Sequence, residues 1–284
     1  MTDILVFGKT GQVATELSLL DGTVCVGRDV ADLSDPAACA ALIAERSPKA
    51  VINAAAYTAV DRAEEEEALA TVVNGDAPGA MARACAALDI PFVHISTDYV
   101  LDGLGTLPHE PDATPAPLNA YGRSKLVGEI AIKQAGGRYC VLRTSWVFSA
   151  HGANFLKTML RLAESRDALT VVGDQIGGPT SARSIAQACM AAASGLGGLY
   201  GLEKSGIYHF SGAPDVSWAD FARDIFNQAA LTVAITDIPT SDYPTPATRP
   251  LNSRMNCASF ERAFGVGRPV WRKDVAEILQ ELGT

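Results

Sequence analysis

The chain has 284 residues, 48% of them hydrophobic and 19% charged, with 23 Lys+Arg against 32 Asp+Glu for a formal net charge of −9. That length allows one large domain or two modest ones, and that much apolar mass excludes a disordered or low-complexity chain. A pI near 4.9 excludes a protein whose main partner is a phosphate backbone, whereas an anionic small molecule needs only a local nest of N–H groups or a few cations.

The chain opens on Met1-Thr2-Asp3 and passes at once into Ile4-Leu5-Val6-Phe7, with neither the basic start nor the long apolar run of a signal peptide, so a cytoplasmic protein is expected. Up to residue 145, short β-type runs alternate with helical stretches. The predicted strands are 4–7, 23–27, 50–54, 91–96 and 139–144; the predicted helices are 12–19, 36–46, 76–88 and 120–135. Continuous apolar strands separated by helices imply a parallel sheet covered on both faces, an α/β doubly wound fold of Rossmann type. Its ligands belong at the carboxyl ends of the strands.

The first strand runs into Gly8-Lys9-Thr10-Gly11-Gln12-Val13-Ala14 and then a helix. Such a turn offers backbone N–H groups and a helix N-terminus to a pyrophosphate, with Gly8 making the tight turn and Gly11 letting the phosphate approach. The second strand ends at Gly27-Arg28-Asp29. An arginine there accommodates a 2′-phosphate and tilts the cofactor towards NADPH, with NADH as the alternative; otherwise Arg28 is a surface residue. Asp61 to Glu67 reads DRAEEEE and is taken as a solvated helix start with no catalytic role. The fourth strand ends in Ser96-Thr97-Asp98-Tyr99, where a Thr97 hydroxyl can hold a carbonyl oxygen. Tyr121-Gly122-Arg123-Ser124-Lys125 opens a helix, and the i, i+4 spacing puts Tyr121 and Lys125 on one face, the cation beside the phenol. Dinucleotide turn, strand-end hydroxyl and Tyr/Lys helix together describe carbonyl reduction, with hydride from a nicotinamide and a proton from the phenol.

Beyond residue 148 the alternation breaks down. Residues 154–165, 217–229 and 274–282 read as helices, and 239–250, with four prolines, as loop. Residues 1–148 are assigned to the dinucleotide-binding domain, with later sheet elements near 170–205 and 246–258, and 149–284 mainly to a smaller interleaved α/β substrate-binding lobe. The apolar stretch Ile185 to Leu202 contains four glycines and reads as a buried helix ending near Gly195, then a loop, so no membrane partner is expected. Six cysteines without a CxxC pair read as reduced and buried, and four histidines show no metal spacing.

The segments GKTGQVA (8–14), NAAAYTAVDRAE (53–64), STDYVLDG (96–103), PLNAYGRSK (117–125), LRTSWVF (142–148), NFLKTMLRLA (154–163), GDQIGGPT (173–180) and YPTPATRPLNSRM (243–255) resemble the extended short-chain dehydrogenase/reductases, and within them the dTDP-4-dehydrorhamnose reductase family. They cover the chain in order. The resemblance implies reduction of the 4-keto group of a dTDP-linked 6-deoxy sugar, with Thr97, Tyr121 and Lys125 as the catalytic set. It implies a cofactor lining of Gly8, Gln12, Val13, Asp32, Leu33, Ala54, Ala55, Ala56, Tyr121 and Lys125. It places Thr58, Val60, Ser96, Asp98, Tyr99 and Trp146 against the sugar, with Asn252 and Arg254 in a stretch that closes the pocket. It leaves monomer or homodimer open. Some members bridge a dimer through magnesium held by glutamates; Glu16 and Glu281 match two such positions, but Arg183 stands at the third, which disfavours Mg²⁺.

Two rival readings share the fold. A sugar-nucleotide dehydratase needs an acid pair after the threonine, and Asp98 is followed by Tyr99. A regulatory subunit that binds a dinucleotide without turnover, like that of methionine adenosyltransferase, has no need of an intact Thr97/Tyr121/Lys125 set.

Overall fold

Runs of Val, Ile, Leu and Phe without polar alternation can be satisfied only where both faces of a sheet are covered. In the computed structural model, which describes residues 3–284, the strands Ile4–Phe7, Thr23–Val26, Ala50–Asn53, Phe92–Thr97 and Tyr139–Thr144 lie parallel and are joined by a sixth, Gly206–His209. Counted along the chain, their order in space is 2-1-3-4-5-6. The order reverses between the first and third strands, and there the carboxyl ends open a crevice.

Successive residues of each strand point to opposite faces. Val6, Ile52, Val93 and Leu142 meet Leu17, Ile185, Cys189 and Phe210 on one side, beneath the helices Gln12–Ser18 and Ala182–Gly197. Leu5, Val51, Phe92 and Val141 meet Ile43, Met81, Cys85 and Ile132 on the other, beneath Pro36–Arg46, Ala77–Ala87 and Ala120–Ala135. The helix Ala182–Gly197 runs past the expected stop at Gly195, because that glycine serves packing: a Cβ on it would stand 2.8 Å from the Phe264 ring. Among the described residues, no helix is long and apolar enough to cross a membrane. All six cysteines are unpaired, five of them buried.

The smaller lobe packs the helices Phe155–Ala163, Trp218–Gln228 and Trp271–Leu282 around Phe148, Phe221 and Trp271. A parallel ribbon of Ala168–Val172 and Ala234–Ile238 borders it. The last helix starts three residues before its expected Asp274, with the Trp271 indole buried and donating to the Pro214 carbonyl at 2.7 Å. Interleaving takes a different form from the one expected. The strand that returns to the main sheet is residues 206–209, while 168–172 stays with the lobe and Asn252–Ser253 joins a small sheet with Ile176–Gly177 and Val216–Ser217. Four residues, Gly-Ile-Tyr-His, are too short a run for the pattern to announce.

One buried ion pair crosses the interior. The Arg143 guanidinium, on the fifth strand, donates to both Glu129 oxygens of the helix Ala120–Ala135, at 2.7 Å for the shortest contact, and both side chains are 1% exposed. Ser96 adds its hydroxyl to the same carboxylate at 2.6 Å. Removing one member strands the other charge without water, at a cost of about 3–5 kcal/mol. Glu129→Leu is therefore expected to lower the free energy of urea unfolding by about that amount; a loss under about 1 kcal/mol would show that the pair is not isolated from solvent.

Candidate active site

The cofactor turn forms as its residues require. Gly8 sits at φ +122°, open to glycine, and a Cβ there would lie 3.1 Å from the Ala14 Cβ and 3.3 Å from the Ala54 carbonyl carbon. Ala14 thus fills the third position of the turn without crowding it. Gly11 caps the helix Gln12–Ser18 with extended backbone and no side-chain cap, and no acid stands in the first turn, so its N–H groups remain available to an anion. Gln12 accepts from Ser149 and Asn154, at 2.8 and 2.9 Å, and ties the turn to the smaller lobe.

A cavity of about 550 Å³ lies over the carboxyl ends of the strands. Gly11, Gln12, Val13, Ala54, Ala55, Ala56, Thr58, Val60, Ser96, Thr97, Asp98, Tyr99, Tyr121, Lys125 and Trp146 all line it, with Gly8 in the turn beneath. Thr10, Thr144, Ser145 and Gly152 line it too, without having been singled out from the sequence. The Thr144 hydroxyl is buried there with no protein partner. An orphaned donor, a glycine turn and free helix N–H groups fit a bound dinucleotide.

Five expected residues stand apart from this cavity: Arg28, Asp32, Leu33, Asn252 and Arg254. Arg28 is 81% exposed, 3.7 Å from Asp32, whose carboxylate accepts from the Ser34 backbone. Leu33 is buried in the core. Asn252 is turned away: its amide donates to the carbonyls of Leu104 and Leu107, at 3.1 and 2.8 Å, and its oxygen accepts from Arg254, which is thereby held outside as well. The closing stretch reaches the site through its neighbours instead, with Ser253 donating to Asp98 and Arg249 held by Asp61 at 2.8 Å. Ser96 borders the cavity, but its hydroxyl is committed to Glu129.

The acidic run is structural rather than merely solvated. Asp61 grips Arg249, Glu64 accepts from the Ala120 N–H at 2.8 Å, and Glu67 pairs with Arg123 at 2.7 Å, so three of its carboxylates anchor the Tyr/Lys helix or the closing stretch. Asn119 caps that helix through the Gly122 N–H at 2.8 Å. Gly122 is obligatory, since a Cβ would fall 2.2 Å from the Tyr99 carbonyl oxygen.

Burial pushes the Tyr121 phenol up to about 12, against the opposing pull of the Thr97 hydroxyl. The same cause pushes Lys125 down to about 8, and Asp98 up to about 6 despite hydrogen bonds from Ser253 and Thr97. The Lys125 ammonium end is turned to the Ile95 carbonyl at 2.6 Å and the His94 ring at 3.1 Å, rather than resting on the phenol as the spacing alone suggested. Tyr99 meets Tyr121 edge-on, with ring centroids 5.6 Å apart. Trp146 holds φ +51°, costly for a bulky residue, and stacks on Trp218 at 3.6 Å. Gly177 makes this stack possible, because a Cβ there would meet the Trp146 ring at 3.0 Å. A second cavity of about 430 Å³ continues past Tyr99, bounded by Trp218, Tyr243, Arg166 and Arg249.

A family model described as the RmlD substrate binding domain matches residues 1–284. The chain belongs to this family. A dTDP-4-dehydrorhamnose reductase of Burkholderia thailandensis is 44% identical over 293 residues, 98% of each chain. That of Salmonella typhimurium is 42% identical, over 99% of this chain and 98% of its own. The Bacillus anthracis dTDP-4-dehydrorhamnose reductase, solved in complex with NADP, has a TM-score of 0.91 at 30% identity and 99% coverage of both chains.

The magnesium that the resemblance implies for some members does not fit the residues here. Arg183 inserts its guanidinium among Glu16, Glu277 and Glu281, with contacts of 3.3 Å to Glu16 and 3.7 Å to Glu277 and a shorter one to Glu281. The carboxylates that a divalent ion would need are already neutralised by a cation inside their cluster. Half-exposed pairs of this kind contribute about 0.2–1 kcal/mol each. The melting midpoint of the wild type is therefore expected to be the same in EDTA and in millimolar Mg²⁺. Arg183→Glu should melt several degrees lower and recover part of that loss with Mg²⁺. A rise in the wild-type midpoint with Mg²⁺ would contradict the assignment.

Proposed function

We propose that this chain reduces the 4-keto group of dTDP-4-dehydro-β-L-rhamnose to give dTDP-L-rhamnose, with Thr97, Tyr121 and Lys125 as the reacting set. The observation that carries this reading is the meeting of those three residues in one cavity with the glycine turn. Relatives named for that activity match nearly the whole chain at about two identities in five.

NADPH, when bound, supplies the hydride, and Gly8, Gly11, Gln12, Val13 and Ala54 to Ala56 are the residues that would hold it. Arg28, exposed outside the cavity beside Asp32, would be the residue to receive a 2′-phosphate. The protein's own task is to orient a carbonyl and deliver a proton. Thr97, whose hydroxyl donates to Asp98 at 3.0 Å in the unliganded protein, would turn that hydroxyl to the carbonyl oxygen beside Tyr121. A phenol whose pKa lies near 12 is fully protonated at neutral pH, so its proton is in place for the oxygen as negative charge develops there. Lys125 supplies the positive charge that stabilises the phenolate left behind.

The second cavity supports a substrate with a large polar remainder. Arg166 and Arg249 offer charge to a diphosphate, and Trp218 and Tyr243 offer faces to a base. Trp146 and Tyr99 border the sugar between the two cavities and present apolar surface to a 6-methyl group. Binding energy from that remainder is available to fix the reacting carbonyl. The reading places the enzyme in the cytoplasm, where its six free thiols stay reduced.

Tyr121→Phe keeps the ring and removes the proton. It is expected to bind NADPH as the wild type does and to lose ~10²–10⁴ in kcat with the sugar nucleotide. Near wild-type turnover in this variant would remove Tyr121 from the reaction, and an inactive wild type would refute the proposed function.

A further inference from the structure

His94 takes no part in the reaction described above, yet it is fully buried directly behind Lys125. Its ring is the middle of a chain that joins three elements: Asn53 at the end of the third strand, His94 in the fourth, and Lys125 on the helix Ala120–Ala135. The donors and acceptors in this chain can be counted. The Asn53 Oδ1 accepts from the Ala55 backbone N–H at 3.1 Å, which fixes the amide so that its NH₂ faces the His94 Nδ1, also at 3.1 Å. The Nδ1 must therefore accept. A neutral imidazole then carries its single hydrogen on Nε2, and Nε2 lies 3.1 Å from the Lys125 Nζ. An N–H pointed at Nζ opposes an ammonium, whose three hydrogens are all donors, and suits an amine, which has a lone pair to receive it. The amine keeps its own hydrogens for the Ile95 carbonyl at 2.6 Å.

We propose that His94 is a positioning residue for Lys125: locked by Asn53 as the Nε2–H tautomer, it donates to the lysine amine and so enables Lys125 to pass a proton to Tyr121 in each turnover. This rests on the reductase reading. After Tyr121 has given its proton to the substrate oxygen, a water in the cavity that both residues line carries one proton across: an N–H bond of the Lys125 ammonium breaks, the water gives up one proton as it takes that one, and the phenol O–H re-forms. The lysine is left as a neutral amine, which the His94 N–H stabilises, and it regains a proton from solvent through the cavity that it lines. No electron pair leaves the protein and no further reactant is needed.

The surroundings suit this task. The titratable groups facing the lysine are Glu129 on its own helix and His94 on the adjoining strand, while Tyr121 shares the cavity with it. Glu129, the one carboxylate that would hold the proton on Lys125, is taken up by Arg143 and Ser96. Behind His94 stand Asn53 and the stacked Phe92 ring, 6.2 Å away, with no carboxylate to draw a second proton onto the imidazole. Burial and the nearby lysine both hold His94 well below its ordinary range, so it stays neutral. Burial moves Lys125 in the direction that the N–H contact also favours.

Two variants and one spectroscopic measurement test the proposal. His94→Met fills the space without an N–H. At saturating substrates its kcat is expected to fall about tenfold at neutral pH, the worth of one hydrogen bond, and the alkaline limb of the kcat profile should move up by about one pH unit as the ammonium becomes more stable. The sugar-nucleotide KM should hold. His94→Gln places an amide N–H near the Nε2 position and is expected to restore both rate and limb. A uniform loss at every pH, with KM and kcat falling together and no rescue by Gln, would make His94 a packing residue and overturn the proposal. Independently of turnover, ¹⁵N-histidine NMR of the wild type, with the His94 signals identified by their loss in His94→Gln, should show the Nε2–H tautomer at pH 7. The Nδ1–H tautomer would overturn it even in an active enzyme. A wild type inactive on the sugar nucleotide refutes the proposed function, while the tautomer still decides the state of His94.

Discussion

The arrangement depends on keeping a lysine out of water. Lys125 is 1% exposed, and burying the polar end of a lysine is costly unless that end is fully engaged. Here the Ile95 carbonyl and the His94 ring engage it, and both come from the strand that also ends in Thr97. The helix bearing Lys125 is consequently locked to that strand at a fixed height, and the phenol one turn earlier is delivered to the strand end. Glu129, one turn later, repeats the device with Arg143. Two buried polar contacts on one helix face therefore set the position of Tyr121 more firmly than apolar packing alone can do.

The smaller lobe is attached by similar polar ties. Asp61 holds Arg249, Asn119 donates to the Thr248 carbonyl at 2.8 Å, and Ser253 reaches Asp98, so the stretch from 243 to 254 is fastened along the rim of the site at three points. On the opposite rim Gln12 binds Ser149 and Asn154. The Trp146–Trp218 stack closes the wall between, steadied by the Gln175 oxygen, which accepts from the Trp218 indole at 3.1 Å. A cavity bounded by ties from both parts of the chain can be shaped for a ligand larger than either part would enclose.

Much of this could be read from the residues. Apolar runs such as Ile4–Phe7 and Ala50–Asn53 announce buried parallel strands, and the strand–Gly–helix order places the turn before any coordinates are known. The tyrosine and lysine spacing gives the helix face. What escaped reading was long-range. Nothing local shows that Glu64 or Glu67 will meet a helix more than fifty residues away, so the acidic run looks like a solvated surface. The sixth strand is too short to carry a pattern. Asn252 is assigned to the substrate by the resemblance of its segment alone; its amide is spent on two carbonyls of the 104–107 loop, and only the folded chain brings those within reach. His94 reads as one more residue in an apolar strand until Asn53 and Lys125 close on its two nitrogens.

The central claim is that the cavity over the strand ends carries out reduction at one carbonyl. The most direct measurement is turnover of dTDP-4-dehydro-β-L-rhamnose with NADPH deuterated at the transferable C4 position, with the product examined by NMR. The expected result is dTDP-L-rhamnose with one deuterium, located at C4 of the sugar. Deuterium at any other carbon, an epimeric product, or no consumption of the sugar nucleotide would contradict it.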